Sequence, residues 1–283
     1  AGGRYRGDRT AHMPGDSDGR VEVSEAAITV GMRRLDPHQV HVAIQIANNE
    51  TGAITPPETF AHARERGWVV TADAVQAAGR IDLAPYLPFI DSLFLSAHKI
   101  GGPKGVGAIV VREGTCSGLR PLITGGGQER GMRSGTENVA GIAGFGAAAR
   151  LARVQPGAMD RVRALRDRFE AGLVDHAAEA TVFAAGVPRL PNTSLFAIPG
   201  LTAETALIAF DLDGVAVSSG SACSSGKVAK SHVLRAMGVS DDLAASAIRV
   251  SLGVSSTEDD VTRLLNSLER QLARLRTRRQ SAA

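Results

Sequence analysis

Cysteine is scarce in this chain of 283 residues, which contains only Cys116 and Cys223. Two thiols are too few for a disulfide framework, so a reducing compartment is the expected setting and each thiol is a possible reagent. Long apolar runs are also missing: the run from Val40 to Ala47 is too short to span a bilayer and includes His41 and Gln45. No signal segment is recognisable at the start. We therefore expect a cytoplasmic protein without membrane association.

A strong excess of one charge sign is absent as well, because the formal net charge is only +3. The basic residues that stand out lie in the last predicted helix: Arg270, Arg274, Arg276, Arg278 and Arg279. Such a row is typical of a solvated helix face, since a nucleic-acid-binding protein would need a larger basic surface and a recognisable motif. We expect no nucleic-acid partner, and we assign no residue to a metal.

What is present is a composition typical of globular proteins, 43% hydrophobic and 22% charged, with room for two domains. From Gln39 to Arg112, apolar β-rich runs alternate with helical or turn segments, which predicts a mainly parallel sheet flanked by helices. Long helical patterns follow, and then a smaller α/β region. We predict an α/β protein with a large domain at residues 1–150 and a smaller C-terminal domain at residues 151–283.

The first residues are unusual for the beginning of a chain. There is no initial methionine, and Ala1–Asp8 is rich in glycine and charge without an amphipathic period. We therefore expect the large domain to be N-terminally incomplete.

The most informative segment is Ser96-Ala97-His98-Lys99, which follows the strand-like run Asp91–Leu95. In open α/β sheets, ligands bind in the crevice outside the carboxyl ends of the strands, and a lysine amine there can form a Schiff base with a carbonyl. Pyridoxal phosphate (PLP) is the commonest carbonyl used in this way. Alone, the pattern equally describes a solvated lysine in a glycine-rich turn.

A second strand end carries Asp73, with Gln76 three residues further on. A carboxylate in this place can pair with the pyridinium nitrogen of PLP. It can equally be the N-cap of a helix. A strand-end Lys99 in the same sheet favours the cofactor interpretation.

Two further segments are weaker signals. Asn49 follows a third strand within Ala47–Gly52, which is by itself a turn pattern. The glycine-rich segment Gly125–Thr136 precedes a predicted helix, and backbone N–H groups at a helix start suit an anion such as a phosphate. Flexibility alone would also explain the glycines.

Cys223 and Arg249 are the remaining candidates. Cys223 stands in the small-residue tract Ser218–Lys227, with Lys227 and other basic residues nearby that favour a reactive thiolate. Cys116 has no comparable setting, and we regard it as a bystander. Arg249 lies within an apolar strand, where a guanidinium usually grips a fixed anion, either a structural carboxylate or that of an amino-acid substrate.

Taken in order, six motifs resemble the signature series of the cysteine desulfurases: Ala47–Gly52, Asp73–Gln76, Ser96–Gly105, Gly125–Asn138, Ser218–Ser225 and Arg249–Gly253. These are PLP enzymes of the aminotransferase class V family, with the aspartate-aminotransferase-like fold (fold type I). The resemblance runs from about Gly15 to the C-terminus. It implies that the large domain binds PLP and that the small domain carries the cysteine loop.

The resemblance also implies roles for the cofactor residues. Lys99 would hold PLP as a Schiff base, and Asp73 would pair with the pyridinium nitrogen. Gln76 and Asn49 would contact the ring oxygen or the substrate.

Further roles concern the phosphate and the substrate. Ser96 and His98 would bind the cofactor phosphate, and Thr136 would reach the phosphate of the partner subunit in a homodimer. Arg249 would hold the carboxylate of L-cysteine.

In the same picture, Cys223 attacks the sulfur of the bound substrate, which leaves L-alanine and a persulfide on the enzyme. The extended segment around Cys223 resembles the iron–sulfur-assembly and nitrogen-fixation branch, so the implied sulfur acceptor is a scaffold protein.

One departure from the family pattern concerns the N-terminal side. Full-length members carry a phosphate-binding Gly-Ala-Thr-Glu helix start and a histidine that stacks on PLP, and His12 is too close to Asp16–Gly19 to be that histidine. Three hypotheses stay open: a cysteine desulfurase, another class V enzyme such as an aminotransferase or selenocysteine lyase, and an inactive relative that serves as an interaction partner.

Overall fold

A computed structural model describes residues 12–23, 36–115, 119–153, 157–220 and 231–281. These residues form two compact units. The first, here the β1–β4 unit, contains the described residues of 36–46 and 56–153. The second, the β5–β8 unit, contains those of 12–23, 47–55 and 157–281.

The β1–β4 unit alternates strands and helices in the order predicted from the sequence. Its main elements are β1 (His41–Gln45), α1 (Pro57–Glu65), β2 (Val69–Asp73), β3 (Ser92–Ser96), a 3-10 helix (Ala97–Ile100), β4 (Gly107–Val111) and α2 (Val139–Arg153).

The sheet of this unit has the strand order β1-β2-β3-β4. The first three strands are parallel, as expected, and β4 is antiparallel to β3. Alternate residues of β1 and β2 are buried, among them Ile44, Val70 and Ala72, because successive side chains of a strand point to opposite faces. They share the core with Phe60 of α1, whose ring meets that of Tyr86 edge to face at 5.3 Å.

The reversal between β3 and β4 depends on glycine. Gly101, with φ of 86°, ends the 3-10 helix in the left-handed conformation that favours glycine. Gly107 then lies against β3 so closely that a Cβ atom would come within 2.6 Å of the Leu95 carbonyl oxygen. A side chain at position 107 would therefore separate the two strands.

The β5–β8 unit is built on an antiparallel sheet with the order β5-β6-β8-β7. Its elements are α3 (Ala158–His176), β5 (Thr181–Val182), β6 (Thr193–Ala197), α4 (Ala203–Leu212), β7 (Ser218–Ser219), α5 (His232–Ala236), α6 (Asp241–Ala245), β8 (Ala247–Ser251) and α7 (Glu258–Ser281).

The core of this unit lies between the sheet and the helices α3, α4 and α7. Phe169 of α3 and Phe196 of β6 are fully buried there, with ring centroids 5.5 Å apart. Phe210 of α4 and Leu268 of α7 complete the same apolar cluster.

The compact units differ from the predicted division at residue 150. The change of unit after α2 lies close to that position, but residues 12–23 and 47–55 belong with the C-terminal part of the chain. For residues 47–55 the reason is backbone pairing: the Leu190 N–H donates to the Gly52 carbonyl at 2.8 Å, and the Ile54 N–H donates to the Pro188 carbonyl at 2.8 Å. Loop 47–55 is thus bonded to the segment that leads into β6.

Within the described ranges, no helix combines the length and the apolar character that crossing a membrane requires.

The aromatic pair in the β5–β8 core gives a stability prediction. Phe169→Ala should lower the free energy of unfolding by about 3–5 kcal/mol, because it removes a fully buried ring and leaves a cavity. Urea unfolding of the purified chain measures the change. The control is Leu212→Ala, at a side chain that is 83% exposed, where a change within about 0.5 kcal/mol is expected. Equal losses in both variants would contradict the assignment of this core.

Candidate functional site

The carboxyl ends of two adjacent parallel strands form the first part of the site. Asp73 is the last residue of β2 and Ser96 the last of β3, and the strands pair with Asp73 opposite Phe94. Because the strands are parallel, both ends lie at the same edge of the sheet. The structure thus brings the Asp73 turn and the Ser96–Lys99 segment together, as expected from the sequence.

Asp73 is half-buried and has no cationic partner within the part of the chain that the structure describes. Its Oδ1 accepts a hydrogen bond from the Val75 N–H at 2.9 Å, as a capping aspartate does. This bond accounts for one of the two carboxylate oxygens. Among the described residues, Asp73 forms no ion pair. Burial raises the pKa of its carboxyl above the usual range, and the Val75 N–H opposes that shift. A half-buried carboxylate of this kind fits the protonated nitrogen of a pyridine ring.

The turn after β3 carries three of the expected cofactor residues. The Ser96 hydroxyl and His98 Nδ1 are 2.8 Å apart, within hydrogen-bond distance. Lys99 follows in the same 3-10 helix and is half-buried. A hydroxyl and an imidazole within three residues of a lysine suit a ligand that carries both a phosphate and a carbonyl.

An arginine that the sequence analysis did not single out connects these two turns. Arg80 donates from Nη1 to the Gln76 carbonyl at 2.7 Å and from Nη2 to the Lys99 carbonyl at 2.8 Å. Gln76 itself lies in the turn after β2, where it was expected. No sequence signal marked Arg80, because its acceptors are backbone atoms and one of them lies 19 residues away.

The glycine-rich segment before α2 is folded on itself. Buried Ser134 accepts the Gly126 N–H at 2.8 Å, and Arg133 Nη1 donates to the carbonyls of Gly135 and Thr136. Thr136 is exposed, and none of the described hydrogen bonds joins it to Lys99. The expected contact of Thr136 with a partner's phosphate stays a prediction.

The β5–β8 unit holds the expected substrate residues. Arg249 lies on β8, and its Nη1 donates to the Asn49 carbonyl at 2.8 Å, although 200 residues separate the two in sequence. Arg249 Nε is buried and lacks a hydrogen-bond partner among the described residues. An unpartnered N–H on a guanidinium fits one oxygen of a carboxylate.

Glu50 is a second residue that the sequence analysis missed. Its side chain is buried and accepts a short hydrogen bond from the Ser231 hydroxyl, and Ser231 caps α5 by accepting the Leu234 N–H at 3.0 Å. Burial raises the pKa of the Glu50 carboxyl, while the Ser231 bond and the charges of His232 and Arg249 oppose the rise. An acidic residue in a turn gives no sign of burial, so the sequence offered no signal.

Cys223 and Cys116, the predicted nucleophile and bystander, lie outside the described residues. The structure describes the chain up to Gly220, whose N–H donates to the Ala247 carbonyl at 3.0 Å. Just before it, β7 pairs with β8 so that Ser218 is opposite Arg249.

Over the part of the chain that the structure describes, no three His, Cys, Asp or Glu side chains form a group that could hold a metal ion.

Comparison with known proteins relates this geometry to a family. The sequence matches the aminotransferase class-V family over residues 3–264. It is 45% identical over 275 residues to a cysteine desulfurase of Gluconacetobacter diazotrophicus and 42% identical over 266 residues to one of Cereibacter sphaeroides. These matches cover 96% and 94% of this chain, and 67% and 66% of the two relatives. The chain therefore spans about two thirds of the length of these curated relatives.

Solved structures agree with the sequence matches. The X-ray structure of a NifS-like protein from Rickettsia africae has a TM-score of 0.82 at 32% identity, with 92% of this chain and 69% of that chain covered. A second NifS-like protein has a TM-score of 0.80 at 34% identity, and the match covers 93% of this chain and 68% of that protein's chain.

Because the family match extends over most of the sequence, this chain belongs to the aminotransferase class V family, a family of PLP-dependent enzymes with fold type I. Its curated relatives at 38% to 45% identity are cysteine desulfurases. Those matches and the NifS-like structures support the same function here. The resemblance and the fold class predicted from the motifs are thus confirmed.

The pKa of Asp73 gives a prediction for the chain without PLP. Its folded pKa lies above the ordinary value of 3.8, so ionisation costs stability once the pH exceeds that value. Asp73→Asn, which keeps an oxygen for the Val75 N–H, should therefore be more stable than wild type at neutral pH. The gain should shrink as the pH falls through the folded pKa towards 3.8. Urea unfolding over this pH range measures it.

The matched control is Asp82→Asn. Asp82 accepts the Ala84 N–H at 2.9 Å in the same geometry, but its side chain is exposed. No comparable gain is expected there. An equal gain in both variants, or none in Asp73→Asn, would contradict the role of burial.

Proposed function

We propose that this chain provides the PLP-binding lysine, Lys99, and the sulfur-accepting thiol, Cys223, of a cysteine desulfurase that converts L-cysteine to L-alanine. The observation that carries the proposal is the meeting of Asp73 with the Ser96–Lys99 turn at one edge of the parallel sheet.

The residues at this edge fit PLP by their chemistry. PLP, when bound, supplies an electron sink that stabilises negative charge on the substrate carbon. Asp73 would hold the proton on the ring nitrogen, a role that suits a half-buried carboxylate to which none of the described residues supplies a cation. Ser96 and His98 would donate hydrogen bonds to the phosphate, and Lys99 would bind the carbonyl carbon covalently. Gln76 would contact the ring oxygen.

Arg249 would bind the carboxylate of L-cysteine. Its buried Nε needs an acceptor, while its Nη1 is already fixed by the Asn49 carbonyl, so the guanidinium is held in one orientation before substrate arrives. A positioned donor of this kind loses little entropy on binding. The side chain of Asn49 would contact the substrate or the ring oxygen.

The sulfur transfer balances without an external oxidant. The Cys223 thiolate attacks the substrate sulfur, a sulfur–sulfur bond forms, and the bond between the substrate Cβ and sulfur breaks. The electron pair of the broken bond stays with carbon, which takes up a proton. L-Cysteine and one thiol thus yield L-alanine and one persulfide, because the carbon is reduced as the sulfur is oxidised.

The persulfide requires an acceptor. The resemblance of the segment around Cys223 to the iron–sulfur-assembly and nitrogen-fixation branch favours iron–sulfur cluster assembly as the destination, so we propose a scaffold protein as the sulfur acceptor. We also propose a homodimer, in which the exposed Thr136 reaches the phosphate bound by the partner subunit.

Lys99→Ala tests the cofactor lysine. The chain mixed with PLP should lose its visible absorbance band, because that band requires the covalent bond to the lysine amine. Lys104→Ala is the matched control, since Lys104 lies five residues away in the same region and is exposed. It should leave the band nearly unchanged. Loss of the band in Lys104→Ala and its retention in Lys99→Ala would assign the covalent bond with PLP to Lys104.

Cys223→Ser tests the nucleophile. After treatment with PLP and L-cysteine, mass spectrometry of the wild-type chain should find one added sulfur on Cys223. The variant should still bind PLP, but alanine formation should fall roughly 10³-fold or more, as is typical when a nucleophile is removed.

Cys116→Ser is the control, and in this variant the added sulfur should still be found on Cys223. Sulfur on Cys116 would contradict the mechanism. 3-Mercaptopyruvate as the product, with no persulfide, would favour an aminotransferase instead, because transamination leaves the bond between Cβ and sulfur intact.

A further inference from the structure

Arg80 joins the two turns that carry the expected cofactor residues. Its guanidinium donates to the Gln76 carbonyl at 2.7 Å and to the Lys99 carbonyl at 2.8 Å. The first bond closes the turn after β2, and the second crosses to the 3-10 helix after β3. Both bonds are charge-assisted, which makes them stronger than bonds between neutral groups.

The surroundings of Arg80 differ from those of a typical structural arginine. The side chain is partly buried, and burial lowers the pKa of its guanidinium. Among the described residues it has no carboxylate partner. A buried arginine usually pairs with an acid, because leaving the charge uncompensated is costly. Here two backbone carbonyls take that place, and one belongs to the lysine expected to bind PLP.

We propose that Arg80 is a positioning residue for the cofactor lysine: by binding the carbonyls of Gln76 and Lys99, it fixes the direction in which the Lys99 side chain leaves the backbone. The proposal rests on the proposed role of Lys99.

The physical reason is the short length of the 3-10 helix. It consists of four residues, Ala97–Ile100, and its end is held by the N–H groups of Gly101 and Gly102, which both donate to the Ala97 carbonyl. No following helical turn supplies N–H groups that would donate to its later carbonyls. Arg80 supplies the donor for the Lys99 carbonyl, and thereby restrains the peptide plane next to the lysine Cα.

The test is reductive trapping of PLP. The chain is incubated with subsaturating PLP, reduced with borohydride and digested, and the label is quantified by mass spectrometry. The sequence has four lysines, Lys99, Lys104, Lys227 and Lys230, so the distribution can be measured completely. In wild type the label should lie on Lys99. In Arg80→Met it should fall about tenfold there, as expected for the loss of charge-assisted bonds. Unfolding of the PLP-free chain is measured in parallel.

Two further variants separate positioning from general stability. Arg112→Met is the matched control, because Arg112 also donates to two backbone carbonyls of the same unit, those of Ile90 and Leu87. It should keep wild-type labelling of Lys99. Arg80→Lys can reach one of the two carbonyls and should restore part of the labelling.

The outcomes distinguish the two proposals. Wild-type labelling of Lys99 in Arg80→Met would overturn the positioning role. If Arg80→Met does not fold, Arg80→Lys decides: reduced labelling at an unchanged unfolding transition supports the role, and wild-type labelling overturns it. Absence of label on Lys99 in the wild-type chain would overturn the proposed function itself, and the positioning role with it.

Discussion

The parallel pairing of β2 and β3 is the constraint on which the candidate cofactor site depends. It brings the carboxyl ends of both strands to one edge, so that a carboxylate and a lysine 26 residues apart become neighbours in the fold. The bond from Arg80 to the Lys99 carbonyl uses the same arrangement, because it crosses from the turn after β2 to the turn after β3. A change in the register of the two strands would therefore move Asp73 away from the Ser96–Lys99 turn and break this bond.

Local patterns were sufficient to predict the elements and the residues at the strand ends. The apolar runs of β1, β2 and β3 end close to their predicted positions, and Asp73 and Lys99 were predicted because each follows such a run directly. The antiparallel direction of β4 was not predicted, because it is set by the tight approach of Gly107 to Leu95 rather than by hydrophobic periodicity.

Long-range contacts could not be predicted from the residues alone. The bond between Arg249 and Asn49 joins positions 200 residues apart, and the membership of residues 47–55 in the β5–β8 unit depends on backbone pairing with the segment before β6. Arg80 and Glu50 could not be identified from the sequence for a related reason. Their roles arise from backbone carbonyls and from a distant serine, and neither leaves a pattern in the sequence around them.

The end of β7 would limit how far a sulfur atom bound to Cys223 could travel in the proposed reaction. Gly220 is bonded to the Ala247 carbonyl beside β8, and Cys223 follows it by only three residues. A chain extends by at most about 3.3–3.6 Å per residue, so the Cα atom of Cys223 stays within roughly 11 Å of that of Gly220 in any conformation. In the proposed transfer, the covalent chain would therefore act as a short tether fixed next to the strand of Arg249. The acceptor thiol would have to approach this end of the β5–β8 sheet, because the tether is too short to deliver sulfur to a distant surface.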